Sequence, residues 1–266
     1  MPSQWADEPN ALIPTGPFSQ DSSHEAYYVA TQMALAHNGI IRGLNSIYLQ
    51  APCIPRKDLD TIRDFLTYCQ CWCESMHHHH DAEEAEFFPS IERIAKSPGL
   101  MARNVEQHRA FTPGFEAFQE YASTCRAEDY DGQRLRSLIE DFAEPLTQHL
   151  REEIDTLRAL DVYDSGSIRQ AYDRLEKLLM ATDNHRIAPL VFGTADRNFE
   201  GGMHNFPAVP FFVPYIIHYL YGRRYRGAWQ FNPCTMWRDR RELAFTTDDV
   251  VETAASRTGG RGPDRA

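Results

Sequence analysis

The chain has 266 residues, 42% hydrophobic and 24% charged, which is enough for one large domain or two small ones around a substantial core. Its formal charge of -11 and pI near 5.4 argue against the basic surface that nucleic acid or an anionic membrane would need, so neither is an expected partner. The most apolar window, Val209 to Gly222, is only 14 residues long and is broken by two prolines and a histidine, too short to span a bilayer. No basic start followed by an apolar core marks a secretory signal, and the six cysteines lack the density of a disulfide scaffold, so a reducing, cytoplasmic setting is expected.

Residues 1–22 are rich in Pro, Ser, Gly and Asn and read as a flexible lead-in. From about His24 to Gln50, Leu35, Ile40, Leu44, Ile47 and Tyr48 recur at helical spacing, and Pro52 and Pro55 end the pattern. A second helical pattern runs from near Asp58 through Ile62, Phe65, Leu66 and Cys69 to Phe87, with Pro89 as a kink and "SPG" at 97–99 as a stop. A third covers roughly Leu100 to Cys125, with a kink expected at "TPG" 112–114, and a fourth extends from about Gly132 to Leu160. Alternating β-branched runs bounded by turns do not occur. The fold class is therefore all-α: an up-down-up-down four-helix bundle over 23–162. A further helix at Ile168 to Met180 and an aromatic, proline-rich stretch make 163–245 a partly helical, irregular extension packed on the bundle, and 246–266 a polar, disordered tail.

The stretch "CQCWCESMHHHHDAEEAEFFP", Cys69 to Pro89, carries four adjacent histidines followed by Asp81, Glu83 and Glu84. A purification tag would sit at a terminus, so the run is either a solvated helix face or a source of metal ligands. Cys69, Cys71 and Cys73 do not form a thiolate site: on a helix Cys71 points away from the other two, and ordinary packing is expected. The rest of the chain favours the ligand reading. His79 is followed four residues later by Glu83, and His149 four residues later by Glu153, and residues so spaced project from one helical face about 6 Å apart along the axis. The other two helices each offer one histidine, His37 in "LAHNGIIRGLN" and His108 in "VEQHRAF". Any one of these has an ordinary explanation as a surface pair or a core histidine; their conjunction on four helices suits two iron ions bridged by the carboxylates, because imidazole nitrogen and carboxylate oxygen are ligands of non-haem iron. His80 with Glu84 has the same spacing as His79 with Glu83, so the register of the run stays open, with the distance to Pro89 favouring His79 and Glu83. A ferritin-like site would need Glu-x-x-His on two helices, and only Glu74 with His77 has that spacing.

The order His37, His79-x3-Glu83 followed by "EAEFFP", His108, His149-x3-Glu153 resembles the hemerythrin-like, or HHE cation-binding, family, over about residues 28–160. "HxxxEExxFFP" carries most of the likeness, and the region after Leu190 is similar to the C-terminal extension of fungal members. The resemblance implies a four-helix bundle with a carboxylate-bridged di-iron centre that meets O2. The chain departs from the oxygen carriers, which have two histidines four apart on the third helix, where this chain has Asn104 and Thr112 around His108, and an aspartate five residues after the last histidine, where it has Glu153 after four. A set of four imidazoles leaves one iron with an open position, so oxidation by O2, or reaction with peroxide or NO, is expected in place of reversible carriage. Three roles follow: an O2-responsive or oxidant-handling protein, a di-iron oxidase or oxygenase acting on a small organic substrate, and a structural protein with vestigial ligands. An apolar channel to the iron pair would single out the second; Phe206 to Tyr221 can either line such a channel or simply seal the bundle, and sealing is the expected role.

Overall fold

The computed structural model describes residues 5–16 and 23–246. The four long rods of the bundle are α1 (Glu25–Gln50), α2 (Leu59–Ala82), α4 (Ala102–Thr124) and α6 (Ala143–Arg158), with α3 (Phe88–Ala95) and α5 (Gly132–Glu140) as shorter pieces between them. α1 packs on α6 and α2, and α4 closes the ring against α2 and α6. Among the described residues the only extended pairing is one isolated bridge, Cys234 with Arg240, so the all-α class stands.

Local chemistry sets the helix ends. Asp58, Asp131 and Asp164 accept hydrogen bonds from backbone N–H groups in the first turns of α2, α5 and α7 (Ser165–Met180), satisfying donors that have no partner inside the helix. Lys96 stops α3 in the left-handed conformation at φ 52°.

Two of the long patterns are interrupted. The fourth breaks at Asp141 and Phe142, turning the Phe142 ring into the core with its centroid 5.8 to 6.2 Å from those of Trp72, Phe115 and Phe118. Gly114 permits this approach, since a Cβ there would lie 2.9 Å from the Phe142 Cβ. The second passes through a π turn at Glu83–Phe87 immediately before Pro89, whose missing N–H and bulky ring do not suit a tight α turn. The wider turn rotates each residue less, so Phe87, Phe88 and Ile91 all reach the interior.

The extension continues with α7, which lies on α1 and the π turn, α8 (Ile187–Thr194), which lies on α1 and α2, and α9 (Val213–Tyr219). Residues 5–16, within the expected flexible lead-in, are instead strapped to the polar side of α1. Asn38 exchanges two hydrogen bonds with the Ile13 backbone at 2.7 and 2.8 Å, Asn45 donates to Ala6 O at 2.9 Å, and Arg42 pairs with Asp7 at 2.9 Å. The remainder of the lead-in, and the tail from residue 247 onward, lie outside the described residues.

Candidate metal centre

All six side chains singled out by spacing, His37, His79, Glu83, His108, His149 and Glu153, are buried in the bundle interior and face one another. His80 joins them. On a helix turning about 100° per residue, Glu83 lies about 40° from His79 and about 60° from His80, so one carboxylate sits between two imidazoles. Glu84 falls about 140° from His79 and outside the cluster. The register left open by the sequence is therefore not a choice between two pairs: His79, His80 and Glu83 all point inward, while Glu84 is 42% exposed at the rim. The interior cluster thus holds five imidazoles where four were expected, the fifth being His80 of α2. The His80-x3-Glu84 spacing draws attention to His80, but whether it turns inward depends on what lies opposite α2.

The atoms fall into two overlapping groups, His37, His79 and Glu83, and His80, Glu83, His108 and His149, each with its donor atoms within 4.8 Å of one another. Glu83 reaches both: its Oε1 is 2.9 Å from His79 Nε2 and its Oε2 is 3.8 Å from His108 Nε2. Glu153 Oε2 does the same, 3.5 Å from His37 Nε2 and 3.6 Å from His149 Nε2. Two donors each about 2.1 Å from a shared ion lie about 3 to 4 Å apart, which is the range seen here.

The tautomers show what the cluster lacks. His37 Nδ1 donates to Leu150 O at 2.8 Å and His108 Nδ1 to Glu84 at 2.6 Å, since a carbonyl and a carboxylate can only accept. His149 Nδ1 faces Gln107 Oε1 at 3.4 Å, and the Gln107 amide is oriented by its own donation to Glu152. Each outward N–H turns an Nε2 lone pair inward. His37 turns its own toward His79 Nε2 at 3.2 Å, and His108 and His149 bring theirs to 2.9 Å from each other. Facing lone pairs repel unless a cation lies between them. Both oxygens of Glu83, both of Glu153 and Nε2 of His80 have no hydrogen-bond partner among the described residues. The short His79–Glu83 approach is close in distance but not aligned as a hydrogen bond, the relation of two ligands to one ion. An unsatisfied buried polar group costs about 1 to 3 kcal/mol, so this many in one place calls for a bound cation.

Electrostatics agree. Burial pushes the Glu83 and Glu153 carboxyls well above the ordinary carboxylate range, Glu84 and Glu83 respectively adding to the rise. Burial also holds His37, His80 and His149 well below the ordinary imidazole value, and lowers His79 to about 4. His108 is lowered by burial against the opposing pull of Glu84. The neutral imidazoles are ready to ligate, and the carboxyls need a positive charge to ionise.

The neighbouring residues do other work. His77 contacts Gln119 of α4 at 2.8 Å, and His78 contacts Leu178 O of α7 at 3.0 Å. Glu74 of the ferritin-like pair faces out and binds Arg186. Cys69, Cys71 and Cys73 are buried with their thiols pushed up by burial, Cys71 to about 12, which suits packing.

A family model described as the hemerythrin HHE cation binding domain matches residues 29–160. A protein of Cryptosporiopsis sp. (strain 8999), "Dimeric xanthone biosynthesis cluster protein R11", is 37% identical over 249 residues, covering 92% of this chain and 94% of the relative. Comparison with solved structures gave no significant match.

Proposed function

Because the chain belongs to the hemerythrin HHE cation-binding family, we propose that the buried cluster holds two iron ions bridged by Glu83 and Glu153, and that the pair reacts with O2 or a related small oxidant. His37 and His79 would serve one ion and His80, His108 and His149 the other. The observation that carries this reading is the set of unpartnered carboxylate oxygens and converging Nε2 lone pairs in a buried interior. Imidazole and carboxylate without thiolate suit iron among the transition metals. Bound iron would supply electrons and a position for a small oxidant. The chain's own part is to exclude water, to fix each imidazole through its Nδ1 partner, and to release the Glu83 and Glu153 protons as metal enters. The split of three imidazoles against two leaves the His37–His79 side with fewer donors, the side on which a small oxidant would find a position, while the fifth imidazole, His80, removes the four-imidazole argument against reversible O2 binding.

A second reading, a di-iron oxidase or oxygenase working on a small organic molecule, is favoured by the relative named for a biosynthesis cluster. A cytoplasmic setting fits both readings; no helix among the described residues is long and apolar enough to cross a membrane.

The test is iron quantification with optical spectra before and after air exposure, on the wild type and on His149→Ala. Two irons per chain and an air-dependent near-ultraviolet band are expected in the wild type, with less iron in the variant. Unchanged iron in His149→Ala would remove the assignment.

A further inference from the structure

A cavity of about 180 Å³ lies between the bundle and the extension, and His79 forms part of its wall. The same imidazole stands 2.9 Å from Glu83 and 3.2 Å from His37, so cavity and cluster are separated by one ring. Ala36 and Gly39 present the nearly bare backbone of α1 on one side, and Trp72 of α2 forms another. Ile40, Ser75 and His78 complete the bundle side, and the facing wall comes from beyond the residues matched by the family model: Tyr172 and Leu179 of α7, Leu190 and Val191 of α8, and Phe206. This is a chamber that the extension builds onto the imidazole-poor side of the centre. The cavity reaches the surface at Met180, which is 59% exposed.

Its chemistry restricts the occupant. A closed apolar cavity of about 150 Å³ accepts benzene, so this space takes one aromatic ring with small substituents. Trp72, Tyr172 and Phe206 offer ring faces and edges for stacking. No Lys or Arg lines it while Glu176 does, so an anionic ligand would meet like charge without compensation. A cationic ligand would face the metal charge behind His79. Thr194 donates its hydroxyl proton to Leu190 O and, with Glu176, is left to accept, while Ser75 can donate or accept, so a hydroxyl on the occupant, donor and acceptor at once, suits the lining.

We propose that this cavity binds a neutral, hydroxylated aromatic molecule of about one ring and holds it against His79, as the substrate of the metal centre. The assignment rests on the reading of the cluster as an oxidant-reactive metal pair.

The test is isothermal titration of iron-loaded protein with para-cresol, para-toluate and para-methylbenzylamine, on the wild type and on Val191→Phe and Leu179→Phe, two independent fillings of the cavity. The expected result is that para-cresol binds the wild type at least tenfold more tightly than either charged analogue, and at least tenfold more weakly in both variants, each retaining its iron. Equal para-cresol affinity in the filled variants, or preference for a charged analogue, would overturn the proposal. Iron-replete protein that binds no cresol removes the cavity assignment alone. Cavity-dependent cresol binding in a chain that takes up no iron upholds the cavity and removes the metal reading.

Discussion

Adjacent histidines on a helix point about 100° apart, and a bimetallic interior is wide enough to accept both. That separates the HHHH run into two inward groups, His79 and His80, and two that reach outward to Gln119 and Leu178 O. His80→Ala is therefore expected to lower bound iron from two per chain to about one, whereas His77→Ala and His78→Ala keep both, as measured by metal analysis after desalting. An unchanged count in His80→Ala would return the site to four imidazoles. Glu84 acts one step further out, accepting the His108 Nδ1 proton. Its change to Ala is expected to weaken metal binding about 10- to 100-fold in a chelator competition without emptying the site, the usual cost of losing a partner that orients a ligand.

At the level of the element, α1 departs most from a simple amphipathic rod. Eight consecutive residues, Ile40 to Ile47, are buried, because the bundle covers one side and the two chain ends cover the other. Its polar residues do not face solvent: Asn38 and Asn45 satisfy the backbone of residues 5–16, Arg42 donates to the Asp7 carboxylate and the Thr194 carbonyl, and Ser46 and Gln50 donate to the Phe231 carbonyl. Asn38→Ala strands a buried N–H and a buried carbonyl of Ile13, so a loss of about 1 to 3 kcal/mol is expected in urea unfolding, with iron content unchanged. A stability equal to wild type would mean that the strap contributes nothing to the fold.

Across the whole molecule, folding confines two carboxyls and five imidazoles in one buried volume, so metal, protons and stability are linked. The lowered imidazoles contribute stability that is present above their ordinary value of 6.5 and lost as the pH falls towards the folded value, about 4 for His79. The raised carboxyls act oppositely: their contribution is present below the ordinary value of 4.5 and lost as the pH rises through the elevated one. Metal-free protein is thus expected to lose melting temperature on acidification from pH 6.5 to 4, with iron raising it at neutral pH by several degrees. The latter corresponds to about 4 kcal/mol at a thousandfold excess over Kd. Because Glu83 and Glu153 must ionise to ligate, metal uptake should release protons and tighten as pH rises. Calorimetry in buffers of different ionisation enthalpy reads this directly, and uptake without proton release would contradict buried carboxylate ligands.

The helical class and the two His-x3-Glu pairs were legible in the chain because they are periodic: an apolar helical repeat and an i, i+4 pair are local facts that any helix must express. Three features were not. The inward turn of His80 depends on what lies opposite α2, the burial of the polar side of α1 on residues 5–16 and on segments more than a hundred residues later in the chain, and the cavity against His79 on α7 and α8 closing over α1. Composition marked 5–16 as turn-rich and 163–245 as irregular, yet such segments become ordered once another element satisfies their backbone groups, and only the assembled packing supplies those partners.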